Sequence, residues 1–245
     1  MSLSVCIITH NEASNIKRCI EAIKDIASEI VVVDSGSTDG TQDISKDLGA
    51  RVIHQDFLGF GRQKQFVVNQ SRGTWVLSLD ADEVVSEELK QSIQIAIEQE
   101  SVQVFRLNRL NNYMGSWIKH GNWYPDWQTR LWKRGAAKWN PVLVHETLET
   151  NQAVGNLDGH LLHYGIRSKE QHLQTIKKYS ALAAEKLRQK GKTASFLKPY
   201  FSAFFNFIQS YFIKAGFLDG TAGFWISWRS AYAKYLKYTL LRQKS

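Results

Sequence analysis

The chain has 245 residues, 43% hydrophobic and 22% charged, enough to bury a sizeable core in one large domain or a domain with an appendage. Its two cysteines, Cys6 and Cys19, exclude a disulfide framework or a cysteine-built zinc site and fit a reducing compartment. The net charge of +8 is uneven: residues 1–166 carry 16 Lys/Arg against 20 Asp/Glu, and residues 167–245 carry 15 against 3, so the basic character belongs to the tail.

The opening MSLSVCIITHNE has no basic n-region and turns polar after a short apolar run, unlike a secretory signal. Residues 3–9 read as a buried strand that ends in Thr9, His10, Asn11 and Glu12. Residues 13–26 place Ile16, Ile20, Ile23 and Ile26 at helical spacing, with Ser14 or Asn11 as caps. A β-branched run at 29–33 stops at Asp34, and the Ser/Gly-rich turn 35–40 leads to a helix over 41–48 closed by Gly49. A short strand at 51–54, a Gly-containing loop through Gly61 and a helix over 62–71 follow. The strand at 75–79 runs into Asp80-Ala81-Asp82-Glu83, and 87–97 is an amphipathic helix.

This strict alternation predicts an α/β fold with a mostly parallel sheet and helices on both faces. Ligands of such sheets bind beyond the carboxyl ends of the strands. Thr9, Asn11 and Glu12, then Asp34, then Asp80 and Asp82 mark three of those ends. Residues 102–165 read as an irregular α+β region rich in Trp, Tyr and His, and the pattern turns helical from 168.

Two carboxylates at i and i+2 beyond a buried strand suit a hard divalent cation, which takes one or two carboxylates together with substrate phosphates. The plain alternative is an acidic turn leading into the next helix. Asp34 has the chemistry to accept hydrogen bonds from a nucleobase or ribose, or simply to form a turn. No G-x-G-x-x-G is present, so a dehydrogenase-type phosphate loop is lacking, and Gly191-Lys192-Thr193 has no preceding strand to make it a P-loop.

ITHNE at 8–12, VVVDSGSTDGT at 31–41, GFGRQKQ at 59–65 and LSLDADE at 77–83 together resemble family 2 glycosyltransferases of the GT-A fold, over about the first hundred residues. VHETLE at 144–149, LLHYGIRS at 161–168 and GFLDGTAG at 216–223 are similar to lipopolysaccharide inner-core β-1,4-glucosyltransferases. The resemblance implies a nucleotide-sugar-binding catalytic domain over 1–166 and a helical basic region over 167–245. It implies that Thr9, Asn11 and Glu12 line a nucleoside pocket, that Asp34 holds the base, and that Arg62 approaches the nucleotide. Asp80 would contact ribose or metal, Asp82 would bind Mg2+ or Mn2+ directly, and His163 would complete the metal shell, the alternative for His163 being an ordinary core histidine.

Inversion at the anomeric carbon requires a general base for the acceptor hydroxyl. The Glu-Asp dipeptide from which many relatives draw it is absent here, which leaves Glu146 as first candidate and Asp126 as second. Gln128-Thr129-Arg130-Leu131-Trp132 resembles the Q-x-x-R-W of processive synthases with its arginine one position early, so transfer of a single sugar is expected.

The longest charge-free aromatic run, residues 199–213, is 15 residues long, short of the roughly 20 that span a bilayer. Aromatic residues at helical spacing with interspersed Lys and Arg suit an anionic membrane surface, or else pack on the catalytic domain. The expected partners are a nucleotide-sugar donor, a lipid-linked glycan acceptor and the inner face of the cytoplasmic membrane. Intact Asp34, Asp80 and Asp82 count against an RNA- or membrane-binding module with a vestigial nucleotide site, so no nucleic acid is expected.

Overall fold

The computed structural model describes residues 1–141 and 146–243. In chain order the elements are β1 (Leu3–Thr9), α1 (Ala13–Glu21), β2 (Glu29–Asp34), α2 (Thr41–Asp47), β3 (Arg51–His54), α3 (Phe60–Gln70), β4 (Trp75–Asp80), β5 (Glu83–Val85), α4 (Glu87–Gln99) and β6 (Val104–Tyr113). They continue with β7 (Ser116–Trp117), β8 (Asp126–Lys133), β9 (Lys138–Trp139), β10 (Leu148–Glu149), β11 (Val154–Ile166), α5 (Lys169–Gln189), α6 (Lys198–Ile208) and α7 (Gly220–Gln243).

The main sheet runs β3-β2-β1-β4-β8-β6-β11-β5, with β7 paired to β6. Its first half is parallel, β1 lying between β2 and β4, and β3 outside β2. From β4 onward the pairings of β8 with β4, β6 with β8 and β5 with β11 are antiparallel. β1 is buried on both faces, as its apolar run from Val5 to Ile8 requires. Val5 and Ile7 join one cluster with Ile16, Ile20, Leu89 and Ile93, whereas Cys6 joins Val31, Val67 and Trp132 on the other face. The period of two along β1 thus sorts its residues between two helical layers.

α4 starts at Ser86, whose hydroxyl accepts from the Leu89 N–H at 3.2 Å, and carries two glutamates in its first turn. α1 ends at Glu21, five residues before the helical period does, because Ile23 and Ile26 bond back in three-residue steps to Ile20 and Ile23. Its first N–H, that of Ala13, is satisfied by Asp39 at 3.0 Å and not by a neighbour in sequence. The region over 102–165 is dominated by long strands, β6 and β11 having ten and thirteen residues.

By contacts the chain divides into two units, residues 1–109 with 126–163 and residues 110–125 with 164–245. In the second, Tyr113, Ile118, Ala222 and Ile226 form a small core, and α7 packs along α5 and α6. Among the described residues no helix is long and apolar enough to cross a membrane.

Candidate active site

The parallel register sets the site. Thr9 pairs with Asp34, and Ile8 with Asp80, so the carboxyl ends of β1, β2 and β4 form one rim. Thr9 is 6% exposed, and its Oγ1 is buried without a hydrogen-bond partner among the described residues. Its place at the rim, at the carboxyl end of β1, makes that hydroxyl available to a ligand.

Asp34 is wholly buried. Its carboxylate accepts from the backbone N–H groups of Gly36 (3.0 Å) and Ser37 (2.9 Å), from the Ser37 hydroxyl and from the Gln42 amide (2.7 Å). It therefore organises its own turn. Asn11, at φ 55°, ties that turn to the end of β1: its N–H donates to Ser37 Oγ at 2.8 Å, and its side-chain oxygen accepts from the Thr38 N–H at 2.9 Å. The Glu12 N–H donates to Thr41 Oγ1 at 2.9 Å. Arg62 is exposed on the first turn of α3.

The DADE turn divides its acids between two tasks. Asp80 accepts from Lys64 Nζ at 3.0 Å and from Arg130 Nη2 at 2.8 Å. Burial opposes ionisation of Asp80, but the two cations outweigh it and hold its carboxyl well below the usual carboxylate range. Glu83, with no exposure, accepts from Arg130 at 2.9 Å, from Arg109 at 3.4 Å and from the Asp80 N–H at 2.9 Å. Burial also opposes the charge of Arg130, and Glu83 and Asp80 reverse that and raise its pKa. Arg109 goes on to Asp126 at 2.8 Å, and Lys64 to Glu146 at 3.3 Å. Asp126, Arg109, Glu83, Arg130, Asp80, Lys64 and Glu146 thus form one chain of alternating charge. Both candidate bases stand at its ends. Val144 and His145, which precede Glu146, lie outside the described residues.

Asp82 stands apart from this chain and meets His163, Oδ2 to Nε2 at 3.3 Å, each side chain 22% exposed. A carboxylate oxygen and an imidazole nitrogen, both accessible, fit a divalent cation that draws its remaining ligands from phosphate and water. Among the described residues no cluster of three His, Cys, Asp or Glu side chains is assembled to hold a metal, since the carboxylate of Asp80 is engaged by cations.

Nothing in the sequence motifs assigns a role to Lys64, Arg130, Glu83 or Arg109, though the first three fall inside them. The signal for Lys64 was its place on the buried face of α3 with Gly61, Val67 and Val68, where a lysine needs partners. Lys64 and Arg130 also lie 5.0 and 5.8 Å from the ring centre of Trp139. Gly61 has a steric reason: a Cβ there would meet the Asn140 carbonyl oxygen at 2.1 Å, so only glycine lets that strand end and Glu146 approach α3.

Residues 4–154 match the pattern of "Glycosyl transferase family 2". An uncharacterised glycosyltransferase of Rickettsia prowazekii is 32% identical over 99% of this chain and 87% of its own length. The lipopolysaccharide core biosynthesis glycosyltransferase LpsC of Rhizobium meliloti is 31% identical over 91% of this chain and 86% of its own. Among solved structures, glucosyl-3-phosphoglycerate synthase from Mycobacterium tuberculosis, crystallised with Mn2+, UDP and glucosyl-3-phosphoglycerate, matches 46% of this chain and 44% of its own at 23% identity and a TM-score of 0.38.

Proposed function

The chain belongs to glycosyl transferase family 2 and is a glycosyltransferase of the GT-A type, and from that premise we propose that it moves one sugar, glucose from a UDP-linked donor, with inversion, onto a lipopolysaccharide core or similar glycan. The observation that carries the reading is the shared rim of β1, β2 and β4, where the buried orphan hydroxyl of Thr9, the Asp34 turn and the DADE turn meet. The likeness to a lipopolysaccharide core enzyme supports the acceptor class. The motifs at 144–149 and 161–168 support glucose.

In this mechanism Thr9, Asn11, Glu12 and the Asp34 turn receive the nucleoside, and exposed Arg62 reaches toward the diphosphate. Asp82 and His163 would hold a Mg2+ or Mn2+ ion, whose charge would stabilise a diphosphate leaving group. Asp80 contacts the ribose from a position fixed by Lys64 and Arg130. Glu146 takes the proton of the acceptor hydroxyl while that oxygen bonds to the anomeric carbon and the carbon–oxygen bond to the diphosphate breaks. Glu146 is preferred to Asp126 because it shares Lys64 with Asp80. The aromatic, basic C-terminal helices bring the enzyme to an anionic membrane that presents the lipid-linked acceptor.

A screen of nucleotide-sugars, scored by released nucleoside diphosphate, tests the donor. UDP-glucose is expected to turn over fastest, and a clear preference for another donor overturns the assignment of glucose. Glu146→Gln is expected to lower kcat by about 10²–10⁴ with donor binding retained.

A further inference from the structure

α6 carries five aromatic residues, Tyr200, Phe201, Phe204, Phe205 and Phe207, and only Pro199 in it is buried. Phe201, Phe204 and Phe205 are 54%, 60% and 63% exposed. Between α6 and α7 runs a groove of about 300 Å3, floored by Ala203 and Ala231 and walled by Tyr200, Phe204, Phe207, Trp228, Tyr232 and Tyr235. Large apolar surface of this kind marks a binding site in a folded chain.

The groove has two unlike ends. At one, Tyr200 and Tyr235 pack edge to face at 5.4 Å and bring phenol hydroxyls. Cations gather beyond them: Lys198 and Lys237 lie 5.5 and 4.3 Å from the ring of Tyr238, and Arg242 lies 5.0 Å from that of Phe196. At the other end Phe207 and Trp228 meet edge to face at 6.3 Å, and the groove's lining residues are uncharged throughout, so the cations stand outside it beyond the tyrosine end. Tyr235 and Trp228 are two turns apart on α7, about 10 Å of helix. Residues 186–243 carry ten Lys/Arg and a single acid, Asp219. That acid is already consumed: its carboxylate accepts from the Lys119 and His120 N–H groups at 3.1 and 2.9 Å and meets His120 Nδ1 at 2.8 Å. Arg188 pairs with Glu185 and Arg229 donates to the Lys169 carbonyl, whereas Lys198, Lys237 and Arg242 have no carboxylate partner among the described residues and are left for an external anion.

From this gradient we infer that the groove between α6 and α7 binds one acyl chain of an anionic amphiphile, hydrocarbon toward Phe207 and Trp228, anionic head at Lys198, Lys237 and Arg242. The inference deepens the membrane-facing reading of the C-terminal region and rests on it for its setting. It adds a site for a single lipid molecule to what would otherwise be general adhesion. A lipid seated there would hold α6 and α7 at the bilayer surface.

Calorimetric titration of the full chain with alkyl phosphates of rising length, kept below micelle formation, tests the site. Affinity is expected to rise about fourfold per methylene until the groove is full, then level off. Ala203→Leu, which fills the floor from a half-exposed position, is expected to abolish that dependence, and Lys237→Glu to weaken every length alike. Donor turnover on a water-soluble acceptor reports that each variant is folded. Binding independent of chain length, or length dependence unchanged in Ala203→Leu, overturns the acyl site. Sedimentation with phosphatidylglycerol-containing vesicles separates the two readings: chain-length-dependent binding without sedimentation supports the groove and defeats the membrane reading, whereas sedimentation without chain-length dependence does the reverse.

Discussion

Replacing Arg130 with leucine leaves the fully buried Glu83 with only the 3.4 Å contact to Arg109 for charge, and leaves Asp80 with Lys64 alone. Breaking one member of a buried ion network costs about 3–5 kcal/mol, because the stranded charge keeps its desolvation penalty. Arg130→Leu is therefore expected to lower the free energy of unfolding in urea by that amount, whereas an exposed arginine such as Arg62 replaced by leucine changes it by under about 0.5 kcal/mol. His172 provides a residue-scale test in the second unit. It is 5% exposed, its Nδ1 lies 3.2 Å from the Tyr113 hydroxyl, and burial, helped by the charge of Arg229, pushes its pKa down to about 4. The folded state then binds fewer protons than the unfolded one between about pH 4 and pH 6.5. The stability this provides is complete above the unfolded pKa and fades as pH falls toward 4, by up to about 3 kcal/mol. Thermal melts across that window should show the loss in the native chain, and His172→Phe should flatten it.

At the scale of elements, Gly61 and Ser86 decide where neighbouring pieces stop. Gly61→Ala places a methyl group against the Asn140 carbonyl and must shift the approach that brings Glu146 to Lys64. Turnover should fall more than nucleotide affinity, and equal losses in both would contradict the role given to Glu146. Ser86→Ala removes the α4 cap and should cost about 1 kcal/mol in unfolding free energy. The parallel half of the sheet was legible in the sequence because each strand is a short apolar run that ends in a polar cluster and is followed by a helical period. The antiparallel half was not. β6 and β8 turn Asn108 and Arg130 inward to meet other polar groups, so neither shows the alternation of a strand with one wet face. The helical period runs past the end of α1 because Ile23 and Ile26 serve the core from tight turns as well as they would from a helix. Within the site, the rim could be read from strand ends. His163 is linked to Asp82 beforehand only through the family resemblance, because the two stand 81 positions apart and no local spacing joins them.

For the molecule as a whole, charge and aromatic surface are divided unequally, and the division has a measurable consequence. Residues 167–245 carry 15 of the 31 Lys/Arg and 3 of the 23 Asp/Glu, and the same region holds the exposed phenylalanines of α6. Binding to vesicles that contain phosphatidylglycerol should weaken steeply as salt rises, each lysine near the surface contributing about 1 kcal/mol. Equal binding to neutral and anionic vesicles would remove electrostatics from the account.

At the other end of the chain the DADE turn meets the strand rim, where we place the nucleotide and its metal. Calorimetric titration of UDP into the native protein and Asp82→Ala, each with and without Mn2+, tests that placement most directly. Tight UDP binding that requires both Mn2+ and the Asp82 carboxylate is the predicted result. UDP that binds equally well without the metal, or equally well to Asp82→Ala, would contradict it.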